Sequence, residues 1–268
     1  MVKARLLCAV LVALVPVALV AQERAAETQT YQGGLRPTVA DVYCAGFVNP
    51  TRIAPSLTVV AARDALGRVM YGEGEYVYLS AGQNAGVQVG QEYLVVRLAT
   101  DPTHAQSFKG QRGIQRSIGK LYEDLGRVRV QVVKETTAIA QIVHACSSMR
   151  NGDILIPYEE RPLPEFKPAA AFDPFAPPSG LEQATVVAGK DFPALIGTGH
   201  VIYINLGTNQ GVKVGDYFRI FRPGGTMLWE GGKRTAKAGV RGPLGDEYRP
   251  TKRRDLPREV LGLSLIHI

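Results

Sequence analysis

Histidine, cysteine and tryptophan are scarce in this chain: 268 residues carry four histidines, three cysteines and one tryptophan. A structural zinc module needs four closely spaced sulfur or imidazole ligands, and His104, His144, His200 and His267 show no ligand spacing among themselves. His144 stands two residues before Cys146, but strand alternation puts both on one face of ordinary packing, and the chain has no second close pair of ligands. Catalytic signatures are missing as well. No Gly-x-x-x-x-Gly-Lys-Ser/Thr, Gly-x-Ser-x-Gly or His-Glu-x-x-His sequence occurs, and Gly72-Glu73-Gly74 lacks the third glycine and following helix of a dinucleotide loop. The chain therefore reads as a non-enzyme with no catalytic, cofactor-binding or metal residues to assign. Long helical apolar stripes are also lacking, so low helix content is expected.

Acidic residues are outnumbered. Lysine and arginine total 31 against 24 aspartates and glutamates, a formal charge of +7. Lys3 and Arg5 account for part of it, and the rest of the excess collects between residues 219 and 258, in Arg219, Arg222, Lys233, Arg234, Lys237, Arg241, Arg249, Lys252, Arg253, Arg254 and Arg258. Such a cluster draws anionic polymers or lipid head groups by long-range attraction; the plainer reading is a solvated loop. Trp229 lies in this stretch, either as a glycan-stacking aromatic or as simple packing.

The first residues read as a secretory signal peptide over 1–21: Lys3 and Arg5, an uncharged apolar run over 6–20, then Ala21 before Gln22-Glu23-Arg24. A membrane anchor is the rival, but the run is shorter than the ~20 residues that cross hydrocarbon, and Pro16 interrupts it. Cys8 follows Arg5-Leu6-Leu7 too early to be a lipoprotein cysteine. Export disfavours nucleic acid as a partner. It also leaves Cys44 and Cys146 where oxidation is possible, so a Cys44–Cys146 disulfide is expected, with two separate buried thiols as the alternative.

An internal repeat organises the remainder of the chain. Thr58-Val59-Val60-Ala61 falls over Thr185-Val186-Val187-Ala188, and Asp64 over Asp191. After a two-residue gap, Gly72, Gly74, Tyr78, Gly82, Asn84, Gly86, Val87, Val89, Gly90 and Arg97 fall over Gly197, Gly199, Tyr203, Gly207, Asn209, Gly211, Val212, Val214, Gly215 and Arg222. That many coincidences in one register predict duplication. Tyr76-Val77-Tyr78-Leu79 and Val201-Ile202-Tyr203-Ile204 are strand-forming runs, each followed by Gly-x-Asn-x-Gly-Val-x-Val-Gly and a second strand. The glycines and asparagines of those turns, Gly82, Asn84, Gly86 and Gly90 with Gly207, Asn209, Gly211 and Gly215, are expected to supply positive φ. Asp64 and Asp191 read as turn caps, and Tyr78 and Tyr203 as core aromatics with hydroxyls at the surface.

In the first copy, Ile118-Gly119-Lys120-Leu121 leads on to alternating runs at 127–133 and 137–143, then to a Gly152-Asp153 turn and Ile154-Leu155-Ile156-Pro157. The expected class is mainly β: two small antiparallel barrel or sandwich modules in tandem, over 58–157 and 185–262. Residues 158–184, with Pro162, Pro164, Pro168, Pro174, Pro177 and Pro178, form a stiff linker that lets the modules move independently. Residues 22–57 precede the first module, and Asp41-Val42-Tyr43-Cys44-Ala45-Gly46-Phe47 is expected to pack on it as an extra strand.

The repeated Gly-x-Asn-x-Gly-Val-x-Val-Gly, followed by Asp216-Tyr217-Phe218-Arg219-Ile220-Phe221 and, in the first copy, by a later Gly152-Asp153 turn, resembles the C-terminal domain of the flagellar assembly protein T family. The resemblance covers 72–97, 118–157 and 197–222. It implies a small β-barrel in a periplasmic protein of the flagellar basal-body ring, without enzymatic role and without a discrete ligand site. The tandem arrangement departs from the family, as does the lack of any counterpart to its other domains.

These features converge on an exported, non-catalytic cell-envelope scaffold acting through protein contacts. A module for peptidoglycan or another anionic glycan, with Trp229 as contact, is the alternative, and an uncharacterised enzyme comes third. Arg258-Glu259-Val260-Leu261-Gly262 reads as the counterpart of Arg116-Ser117-Ile118-Gly119, which makes the second module incomplete. Residues 263–268 translate a transposase mosaic-end adapter codon by codon and are expected to be an artefact, the natural chain continuing for roughly 25 to 40 residues by the length of the first module.

Overall fold

The computed structural model describes residues 37–63, 67–102, 106, 108–165, 173–222, 240–241, 247–248 and 258–267. The expected signal segment, Asp64, His104, Trp229 and most of the late basic cluster lie outside the described residues. Among the described residues, no helix is long and apolar enough to cross a membrane. The protein is mainly β, with antiparallel sheets and few helices.

The first half comprises α1 (Val39–Tyr43), β1 (Phe47–Asn49), β2 (Val59–Ala62), β3 (Tyr76–Leu79), β4 (Glu92–Leu98), α2 (Gln111–Ile118), β5 (Lys120–Val133), β6 (Ala138–Ala145) and β7 (Ile154–Pro157). They build one antiparallel sheet in the order β2-β3-β6-β5-β4-β7, with β1 on β5. Among the described residues no sheet closes into a barrel. The end strands β2 and β7 meet only at an isolated bridge, Thr58 to Ile154, where Val59 N donates to Asp153 O and Leu155 N to Leu57 O, at 2.9 and 2.8 Å.

β4 explains why its sequence is a continuous apolar run rather than an alternating one. Tyr93 and Val95 face the main core with Val59, Val77, Leu79 and Leu125, while Leu94 and Val96 face a second cluster around Tyr122. Burial on both faces requires apolar residues at every position, and each fully buried Val or Leu contributes roughly 1.5–3 kcal/mol. The run expected at 127–133 is part of one longer strand, β5, which begins at Lys120 and passes through Gly126. There φ is 136°, and an added Cβ would lie 2.1 Å from His144 O.

Several expectations need correction. Residues 111–118 form α2, so Ile118-Gly119 ends a helix instead of opening a strand. The N-terminal segment is helical over Val39–Tyr43, and its strand begins only at Phe47. Helix wins at the start because Thr38 and Asp41 form a reciprocal capping box. In the glycine turns, Gly86, Gly90, Gly211 and Gly215 do take positive φ, of 79°, 84°, 83° and 92°, but Gly82 and Gly207 are at −136° and −148°. Asn84 and Asn209 lie inside short 3-10 turns and are not among the positive-φ residues. Gly82 is required by close approach instead: a Cβ there would sit 2.2 Å from Lys134 O.

In the second half, β8 (Val186–Gly189) pairs with β9 (Ile202–Ile204), and β10 (Tyr217–Arg222) with β13 (Glu259–Leu265). The two-residue strands β11 (Val240–Arg241) and β12 (Glu247–Tyr248) pair with each other. Val59, Ala61 and Ala62 face Leu79, Tyr78 and Val77 across a bulge; Val186, Ala188 and Gly189 face Ile204, Tyr203 and Ile202 across a bulge at the same place. Val95 faces Gly126 with a bulge directly after it, and Ile220 faces Gly262 with a bulge directly after it. Gly262 is thus paired in mid-strand, as Gly126 is, whereas Gly119 follows α2. β13 runs on through Leu263, Ser264 and Leu265, opposite Arg219, Phe218 and Tyr217.

Candidate functional site

Polar chemistry gathers where the N-terminal segment meets the middle of β5 and the end of β6. Cys44 caps the C-terminus of α1, its N donating to Ala40 O at 2.8 Å, and Cys146 comes just after β6, its N donating to Leu125 O at 2.9 Å. The two sulfurs are joined in a disulfide, with Cα atoms 5.4 Å apart. The expected pairing is therefore the one in the structure. His144 Nε2 lies 3.6 Å from Cys44 Sγ. On its far side, His144 Nδ1 is 3.9 Å from Glu73 Oε2, which also accepts from Ala145 N at 3.1 Å. Chain folding has brought Cys44 to the His144–Cys146 pair that alternation aligned.

Beside this group opens a cleft of about 170 Å³ lined by Tyr43, Arg127, His144 and Tyr158 among others. The Tyr43 and Tyr158 rings stack at 5.9 Å, and the Arg127 guanidinium sits 4.7 Å over Tyr158. Burial pushes the Tyr158 phenol above its ordinary value.

Beneath the segment, Asp124 is buried. Its Oδ2 accepts from Gly46 N at 3.1 Å and from Arg161 Nη1 at 2.8 Å, while Oδ1 has no hydrogen-bond partner among the described residues. Burial drives the Asp124 carboxyl above the usual range, and the Arg161 bond pulls against that shift. Arg161 also donates to Val42 O at 3.1 Å, and its backbone N to Tyr43 Oη at 3.0 Å, so the start of the proline-rich stretch is fastened to the N-terminal segment. The far end is fastened too: Val260 N donates to Pro174 O at 2.7 Å, and Arg258 to Ala176 O.

The two halves touch here. Tyr203 Oη donates to Ala45 O at 2.5 Å, and the amides of Gln111 and Gln115 donate to Val187 O at 2.8 and 3.1 Å. Burial, with help from the charges of Asp124, Asp191 and Glu123, pushes the Tyr203 phenol strongly upward. The hydroxyl expected at the surface is instead a contact between halves, and the stretch expected to be a stiff linker is fastened near both ends.

The first glycine turn stands apart from this group, against the 134–137 turn, where Gln83 N and Asn84 N donate to Lys134 O and Glu135 O. Asp191, expected to cap a turn, has a φ of 60° just after β8. The Cys44–Cys146 pairing and the His144-x-Cys146 spacing are the traces of the cluster visible in the sequence; Glu73, Asp124 and Arg161 give no local signal, because each is defined by residues 37 to 119 positions away.

Set against protein-family models, curated proteins and solved structures, the chain matches none.

Proposed function

We propose that this is an exported, non-catalytic scaffolding protein of the cell envelope, made of two tandem β modules of the flagellar assembly protein T C-terminal type and acting through protein contacts. The observation that carries it is what the buried polar side chains do. Gln111, Asp124 and Asp153 are those among the described residues. Gln111 binds Val187 O; Asp124 binds Gly46 N and Arg161; Asp153 takes two bonds of 2.8 Å from Arg97 and one of 2.6 Å from Arg150 N. Each joins parts of the chain distant in sequence, as architectural polar groups do, and among the described residues Asp124 Oδ1 alone of their buried oxygens lacks a partner. Tandem modules are supported by the matching bulges of β2–β3 with β8–β9 and of β4–β5 with β10–β13. The Cys44–Cys146 bridge supports an oxidising, extracytoplasmic location.

Cell fractionation with in vivo crosslinking tests this reading. The protein is expected in the periplasmic fraction, crosslinked to envelope proteins. Recovery in the cytoplasm with both cysteines reduced would overturn it. The aromatic and cationic lining of the Tyr43–Tyr158 cleft favours a second reading, binding of an anionic glycan. Specific retention on purified peptidoglycan, lost in Tyr158→Ala, would select that reading over the first.

A further inference from the structure

We propose that the reduced protein holds one thiophilic divalent cation, zinc being the type, with Cys44 Sγ, Cys146 Sγ and His144 Nε2 as ligands. The three ligand atoms lie within 4.8 Å of one another. The 3.6 Å between Cys44 Sγ and His144 Nε2 is close to the roughly 3.5 Å that separates sulfur and nitrogen across a tetrahedral zinc, given bonds of ~2.3 and ~2.0 Å.

A second observation points the same way. A metal-bound imidazole characteristically gives its other nitrogen to a carboxylate, which fixes the tautomer and the ring orientation. Glu73 stands on that side, beyond hydrogen-bond reach. Its Oε2, anchored by Ala145 N at 3.1 Å, is 3.9 Å from His144 Nδ1, which leaves Nε2 directed at the sulfurs. The ligands are also held by separate elements: Cys44 by the C-terminus of α1, His144 by β6, and Cys146 by its bond to Leu125 O. With three protein ligands, the fourth position goes to water from the adjoining cleft.

The disulfide and the cation are alternative states of the same residues. Two equivalents of a small thiol, or one dithiol, reduce the S–S bond, giving two protein thiols and one disulfide of the reductant. The cation then displaces both thiol protons to solvent and binds the thiolates. Side-chain rotation opens the sulfurs to roughly 3.7 Å, the spacing of two thiolates on one zinc. Cation binding of this kind does not depend on the scaffolding role.

Zinc titration of the whole chain against a chromophoric chelator, with cobalt as a spectroscopic probe, tests it. The phosphine-reduced protein is expected to bind one equivalent and to show a thiolate-to-cobalt charge-transfer band, and the oxidised protein to bind none there. Glu73→Gln should weaken binding by up to roughly tenfold, and His144→Ala by more. His144→Ala keeps both cysteines, so its oxidised form reports whether the variant folds. Failure of the reduced wild type to bind one equivalent overturns the proposal, as does His144→Ala binding as tightly as wild type.

Discussion

Asp124 reaches three stretches of chain from one carboxylate: β5 by its own backbone, the N-terminal segment through Gly46 N, and the 158–165 stretch through Arg161. Neither charge is well placed without the other. Removing one partner of a buried pair leaves an uncompensated charge, which costs about 3 kcal/mol or more. Arg161→Leu is therefore expected to lose about that much at neutral pH. Burial already raises the Asp124 carboxyl, and loss of Arg161 raises it further. An acid whose folded pKa lies above its unfolded value favours the folded state most below the unfolded pKa, and that contribution disappears as pH rises through the folded pKa. The deficit of Arg161→Leu relative to wild type should thus shrink on acidification toward about pH 4. Urea melts at both pH values measure it. A deficit that is the same or larger in acid would show that Arg161 acts by packing alone. Asp124→Asn combined with Arg161→Leu should recover much of the loss, since replacing both partners leaves no stranded charge.

At the scale of elements, turns with the same sequence have different surroundings. Gly82 and Gly207 occupy matching positions in their turns, yet a Cβ on Gly82 would meet Lys134 O at 2.2 Å and Thr137 O at 2.6 Å, whereas one on Gly207 would meet, among the described residues, only the Gln210 side chain at 4.0 Å. Gly82→Ala must displace backbone and is expected to cost about 2 kcal/mol. Gly207→Ala should be neutral, or stabilising by up to about 1 kcal/mol through the unfolded chain. Chemical denaturation of both variants decides it; equal effects would mean that these glycines serve turn conformation alone. Much of this layer is legible in the sequence. The strand runs, the positive-φ glycines Gly86, Gly90, Gly211 and Gly215, and the Gly152-Asp153 turn into β7 all stem from local chemistry. The alignment of Arg97 with Arg222 is legible too, but not its reason in the first half, a two-pronged bond to buried Asp153. α2 escapes because Gly113 and the polar residues around it weaken its helical pattern, and its inward face is held through Gln111 and Gln115 to Val187 O, a contact across the molecule. The full length of β5 hides for a related reason: its bulges against β4 and β6 shift the alternation midway, so only 127–133 reads as a strand. The cluster at Cys44 is legible only as a pairing of cysteines and the His144-x-Cys146 spacing, since Glu73, Asp124 and Arg161 join it through tertiary contacts.

For the whole molecule, the Cys44–Cys146 bridge does more than fasten a terminus. It closes a sequence separation of 102, and a loop of that size is worth about 4–5 kcal/mol in the chain-entropy account. It also holds the backbone that the second half docks on. Ala45, next to Cys44, presents its carbonyl to Tyr203 Oη, and Gly46 approaches so closely that a Cβ would fall 2.9 Å from that hydroxyl. Among the described residues β9, which carries Tyr203, is laddered only to β8, whereas β5 and β6 lie inside the larger sheet. Reduction of the bridge leaves the segment on the β1 ladder, the Asp124–Gly46 bond and Arg161, and so loosens Ala45 without dismantling the core. Amide exchange at β8 and β9, read at Lys190 N and Asn205 N, should then speed up by roughly three- to tenfold, the effect of one hydrogen bond's net contribution. The amides of the β5–β6 ladder should stay protected. Tyr203→Phe, with the bridge intact, removes the same bond from the other side and should give a comparable rise confined to β8 and β9. If reduction leaves their exchange unchanged, docking does not depend on the bridge. If it accelerates the β5–β6 amides equally, the bridge supports the fold as one unit, and no separate coupling joins the N-terminal segment to the second half.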